Sequence, residues 1–85
     1  MPLLEFYGAE CPHCVTIAPI VDRLKKEGYA IEQLETWHNR ENAKKQKQYD
    51  KGMCGGVPFF INTDSGKWLC GGESYEDLLA WAQGK

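Results

Sequence analysis

Leu3 to Tyr7 is a short, mostly apolar run ended by Gly8, the pattern of a strand buried on both faces. Beyond it, Cys14, Ile17, Ala18, Val21 and Leu24 recur at steps of three and four and make one apolar helix face. Asp22, Arg23, Lys25 and Lys26 lie mostly off that face, and Gly28 supplies the stop. Pro19 falls inside this helix, where it removes a hydrogen bond and is expected to kink the axis. Tyr29 to Leu34 predicts a second strand, parallel to the first because a helix joins them. Asn39 to Lys51 is polar and predicts a solvated helix, with Lys44-Lys45-Gln46-Lys47 on its water face rather than forming a basic patch. Gly52 to Gly56 reads as a loop and Val57 to Asn62 as a strand. Thr63-Asp64-Ser65-Gly66 turns the chain into a hairpin partner over Lys67 to Cys70. Gly71-Gly72 breaks the chain again, and Ser74-Tyr75-Glu76-Asp77 is a capping box opening a last helix that buries Leu78, Leu79 and Trp81. The order β-α-β-α-β-β-α predicts an α/β fold with one mixed four-stranded sheet flanked by helices.

Composition narrows the function classes. Eighty-five residues leave room for one domain, 1–85, and the aromatic content is ample for one core. Ten basic against 12 acidic residues argue against nucleic acid or an anionic membrane as partner, since both demand a basic excess. No apolar run reaches the roughly 20 residues of a membrane span, and the first residues have neither a basic leader nor a long apolar segment. A cytoplasmic, monomeric protein is the expectation.

The cysteines carry the candidate chemistry. Cys11 and Cys14 form one C-x-x-C, whereas Cys54 and Cys70 stand 16 apart and make no second close pair, so a four-cysteine zinc site is disfavoured and no metal is expected. A reducing compartment also disfavours structural disulfides, leaving catalytic or redox roles for a cysteine pair. The C-x-x-C follows a strand and opens a helix. There the first N–H groups lack partners and the dipole is positive, so a thiolate is stabilised. Pro12 sits in the first helical turn at no hydrogen-bonding cost, and His13 can add positive charge beside Cys11 or donate to its sulfur. Cys11 is expected to be the more exposed and more activated thiol. A structural disulfide or a metal half-site are the alternatives. Cys54 and Cys70 are expected to be small buried hydrophobes, with Cys54 an extra redox thiol in the other reading. Trp37, Trp68 and Trp81 are expected to be core or groove lining, without chemistry.

Three features together resemble the thioredoxin/glutaredoxin superfamily: Cys11-Pro12-His13-Cys14 followed by Ile17-Ala18-Pro19-Ile20, Val57-Pro58 opening the third strand, and Gly71-Gly72 before the last helix. The resemblance covers nearly the whole chain and implies a thioredoxin-like fold. The Ile-Ala-Pro-Ile stretch is similar to thioredoxins and the short N-terminus and Gly-Gly to glutaredoxins. The Cys-Pro-His-Cys motif is similar to that of periplasmic disulfide oxidants. It implies an enzyme that exchanges thiols and disulfides on proteins, cycling between a Cys11/Cys14 dithiol and a Cys11–Cys14 disulfide. Protein disulfides or dithiols would be its substrates and a reductase or glutathione its electron donor, with no tightly bound cofactor. Val57-Pro58 matches the family's cis-proline facing the active-site cysteines, which leaves the Val57 backbone free to pair with an extended substrate. Gly71-Gly72 matches the glutathione γ-glutamyl site of glutaredoxins. Glutaredoxins generally carry a Lys a few residues before the first Cys, where this chain has Gly8, Ala9 and Glu10, so glutathione is expected to be a poor specific ligand. Glu10 stands where thioredoxins have a Trp, and an acid beside Cys11 would oppose thiolate formation. Glu5, six residues before Cys11, matches the buried acid of thioredoxins that exchanges a proton with the second cysteine; an alternating strand with Glu5 facing solvent is the other reading. A glutathione-dependent glutaredoxin and a thiolate-bound metal or iron–sulfur module remain the alternative functions.

Overall fold

The computed structural model describes residues 2–71 and 74–85. Its elements are β1 (Leu3–Tyr7), α1 (Pro12–Lys26), β2 (Ile31–Glu35), α2 (Arg40–Asp50), β3 (Phe59–Asn62), β4 (Trp68–Cys70) and α3 (Tyr75–Ala82). The sheet runs β2-β1-β3-β4. β1 and β2 are parallel, with Leu3 opposite Ile31, and the other two pairings are antiparallel. The expected α/β class, element order and mixed four-stranded sheet are therefore present, and no helix is long and apolar enough to cross a membrane among the described residues.

The alternation of β1 builds two cores. Leu3 shares one with Ile17, Val21 and Leu24 of α1, Ile31, Phe60, and Leu78 and Trp81 of α3. Leu4 and Phe6 face the other side with Phe59 and Ile61, where Tyr49 of α2 lies against Phe6. Every residue of β1 up to Phe6 is buried, as a central strand covered on both faces requires.

Element ends differ from the sequence expectations for local reasons. Tyr29 is not in β2, because its N–H caps α1 on the Leu24 carbonyl while Gly28 takes a positive φ of 105°. Asn39 is the N-cap of α2, accepting the Asn42 N–H, and Lys51 ends that helix in the left-handed conformation. β3 begins at Phe59 rather than Val57, since Pro58 has no N–H to give the ladder. Lys67 lies in the hairpin closure, its carbonyl accepting the Asn62 N–H, and Ser74 caps α3 through the Asp77 N–H. α1 continues through Pro19 to Lys26 as a single helix.

Candidate functional site

The start of α1 lies at the carboxyl end of β1. Cys11 is its N-cap, with extended backbone (φ −73°, ψ 118°), and Pro12 occupies the first turn. The Cys11 N–H donates to the Gly8 carbonyl at 3.1 Å. Its sulfur accepts the Cys14 N–H at 3.2 Å, so a thiol fills the place that Ser or Asp takes in ordinary caps. The same sulfur faces the Val57 carbonyl at 3.8 Å, and the Val57–Pro58 peptide is cis, as the resemblance implied.

The expectation that Cys11 is the exposed thiol does not hold. Cys11 is 3% and Cys14 5% exposed, and the Val57–Pro58 loop lies against the first, its Val57 carbonyl 3.8 Å from the Cys11 sulfur. Both are free thiols. Burial, followed by the hydrogen bond with Cys11, pushes the Cys14 thiol up to about 12. Cys14 thus holds its proton across the physiological range, while the sulfur of Cys11 sits on the helix N-terminus. His13 is exposed and makes no hydrogen bond to that sulfur among the described residues; any help it gives is through space.

Glu5 is only 2% exposed, which excludes the solvent-facing alternative. Its parity on β1 aims it toward α1, where Glu5, Gln33, Gly8, Val15 and Ala18 line a cavity of about 180 Å³ together with Cys14. A volume of that size holds several waters at about 30 Å³ each. Gln33, directly opposite on β2, donates to Glu5 Oε1 at 2.9 Å, and Lys25 donates to Gln33 at 3.1 Å. Burial raises the Glu5 carboxyl above the usual carboxylate range, and the Gln33 amide opposes that shift. An acid with a raised proton affinity and a thiol that retains its proton therefore border one small pocket.

Glu10, the acid next to Cys11 in sequence, turns to another partner. Its carboxylate pairs with His38 Nε2 at 2.8 Å. Glu35, next to it, accepts the backbone N–H groups of Ala9, Trp37 and His38 at 2.8–3.1 Å. Glu10, Glu35 and His38 bring their ligand atoms within 4.8 Å of one another. With Glu35 occupied by three N–H donors, the cluster is a fastening between the β1–α1 and β2–α2 loops. Glu35 and His38 were missed in the sequence reading, and Glu10 was seen only as a neighbour of Cys11, because the three meet only through the parallel register.

Cys54 and Cys70 are joined in a disulfide, which corrects the expectation of two separate buried hydrophobes and of a chain without structural disulfides. Leu69 points into the α1/α3 core, so alternation on β4 turns Cys70 to the opposite face, toward the loop that carries Cys54. That loop is also held by Asp50, whose carboxylate accepts the N–H groups of Cys54 and Gly55, and by Gln46, which donates to the Gly56 carbonyl. Gly71 donates its N–H to the Pro58 carbonyl, placing it beside the Val57–Pro58 loop; Gly72 lies outside the described residues. Trp81 is core, whereas Trp37 and Trp68 are 51% and 40% exposed. No family model and no curated protein matches the chain.

Proposed function

We propose that the chain is a thiol–disulfide oxidoreductase with a thioredoxin-like fold, acting on protein disulfides through Cys11 and Cys14. One observation carries the reading: the Cys11 sulfur takes the N-cap position of α1, receives the Cys14 N–H and faces the Val57 carbonyl. The helix N-terminus favours the thiolate at that atom. The Cys11 thiolate attacks one sulfur of a substrate disulfide, forming a mixed disulfide and expelling the other substrate sulfur as thiolate. Cys14 then attacks the Cys11 sulfur, forming the Cys11–Cys14 disulfide and releasing the second substrate thiolate, so two electrons pass from the dithiol to the substrate. For this second step Cys14 must lose its proton, and Glu5 across the shared cavity is the acceptor, by way of a water. A reductase or glutathione would return the two electrons. The Val57 backbone, which faces the sulfur, and Gly71, bonded through its N–H to the Pro58 carbonyl, form the substrate side of the site. A metal or iron–sulfur module would draw on the same two free thiols alone, since Cys54 and Cys70 are bonded to each other.

The test is insulin reduction together with trapping. Cys11→Ser abolishes turnover, and Cys14→Ser accumulates a mixed disulfide at Cys11 detectable by mass. Turnover by Cys11→Ser, or a mixed disulfide on Cys14 in the wild type, would refute the assignment.

A further inference from the structure

Beside the exchange site lies an open groove of about 400 Å³ whose lining includes Val57 and the exposed Trp37 indole. A Cβ built on Gly8 would fall inside that indole, so the ring lies directly on the glycine whose carbonyl receives the Cys11 N–H. The backbone beneath the indole is tied down. Glu35 accepts from Trp37 and Ala9, and Thr36 donates its N–H to the Tyr7 carbonyl at 2.8 Å. An exposed tryptophan on a fixed backbone has little entropy left to lose when it is covered, the property of an interface anchor.

The groove's polar side chains are already committed. Asp50 accepts two backbone N–H groups and the Gln46 amide, and Gln46 also donates to Gly56, which leaves Lys47 as the only uncommitted charge lining the groove among the described residues. Such a surface rewards an apolar occupant rather than one that needs hydrogen bonds.

We propose that Trp37 is the specificity-determining residue of this site, receiving an aromatic or aliphatic side chain of an extended polypeptide next to its disulfide. The inference rests on the exchange reading and names its substrate class: polypeptide segments with an apolar residue beside the cysteine, in preference to small disulfides. Gly8 permits the ring position, and Glu35 is a positioning residue acting through the backbone of Trp37.

The experiment measures the second-order rate constant for oxidation of the reduced protein by three compounds. These are bis(2-hydroxyethyl) disulfide and two octapeptides carried as mixed disulfides with 2-mercaptoethanol, with Phe or with Ala flanking the cysteine. The wild type should favour the Phe peptide over the Ala peptide by at least tenfold. Trp37→Ala should erase that preference, Trp37→Phe should keep most of it, and Glu35→Gln should weaken it. Equal rates for the two peptides in the wild type, or an undiminished preference in Trp37→Ala, overturns the inference and leaves the exchange reading standing. Failure of the wild type to react with any of the three overturns both.

Discussion

Removing the Cys54–Cys70 disulfide should destabilise the protein by an amount set mainly by the unfolded chain. The bond closes a segment with a sequence separation of 16. In the chain-entropy account a loop of that length restricts the denatured ensemble by about 3 kcal/mol at 25 °C. The folded loop keeps its other fastenings, the Asp50 carboxylate and the Gln46 amide, so the native state should lose little when the bond goes. Unfolding entropy of about 2.1 cal/mol/K per residue, over 85 residues, converts about 3 kcal/mol into a Tm drop of about 15–17 °C. The assay is thermal unfolding followed by far-UV circular dichroism on the wild type and on Cys54→Ser/Cys70→Ser, each with and without a phosphine reductant. Without reductant the double variant should melt about 15 °C lower. With reductant the two should nearly converge, because the wild type then loses its Cys54–Cys70 bond as well and Cys11 and Cys14 are reduced in both. A gap of less than about 4 °C without reductant, where about 15 °C is expected, would mean that the bond constrains the chain far less than its loop length implies.

Cys14 should be nearly inert as a lone thiol. In Cys11→Ser its alkylation by iodoacetamide at pH 8 should run more than about 100-fold slower than that of an unperturbed cysteine, and a comparable rate would contradict its burial-raised proton affinity. Glu5 titrates with a raised affinity in the folded chain, so the folded state holds that proton more tightly than the unfolded state does. Its contribution to stability is therefore greatest below the ordinary carboxyl range and declines as pH rises through the raised value. Glu5→Gln should flatten that decline, raise the Tm at neutral pH and slow resolution of the mixed disulfide by about 100-fold; unaltered Tm and resolution rate would refute both roles.

Much of the fold was legible because β1 and α1 carry strong periodicity and the turn residues sit where turns are needed. Three of the displaced boundaries share one cause: Tyr29, Asn39 and Lys51 serve as caps, a state intermediate between helix and loop that hydrophobic pattern does not resolve, whereas the Ser74 cap was legible from its capping box. The Cys11–Cys14 pair was legible from its position between a strand and a helix. The exposure of Cys11 was not, since the segment that covers it, Val57–Pro58, arrives from 46 residues away. The Cys54–Cys70 bond was hidden for a related reason. Spacing in sequence says nothing about two cysteines brought together by strand alternation and a returning loop, although the parity of Leu69 on β4 was a usable signal for the side on which Cys70 falls. Gln33 and Glu35 were readable in principle too, because fixing the parallel register at Leu3–Ile31 sets Gln33 against Glu5 and Glu35 against Tyr7.

The buried polar residues separate structure from chemistry. Four are buried among the described residues: Glu5, Gln46, Asp50 and Asn62. Asn62 closes the hairpin by accepting the Asp64 and Ser65 N–H groups and anchors α3 by donating to the Trp81 carbonyl. Asp50 and Gln46 together hold the loop that ends at Val57. Replacing any of these three would leave backbone groups without partners, which accounts for their burial on structural grounds alone. Glu5 does no such work. It caps no helix and closes no turn, and the hydrogen bond it accepts from Gln33 is one that a glutamine at position 5 could also accept. A carboxyl in the central strand lowers stability where an apolar side chain would pack without penalty. Departures of this kind from local consistency concentrate where a protein does chemistry. The cavity that Glu5 borders is also bordered by Cys14, the thiol that in the proposed exchange must lose its proton before the mixed disulfide is resolved.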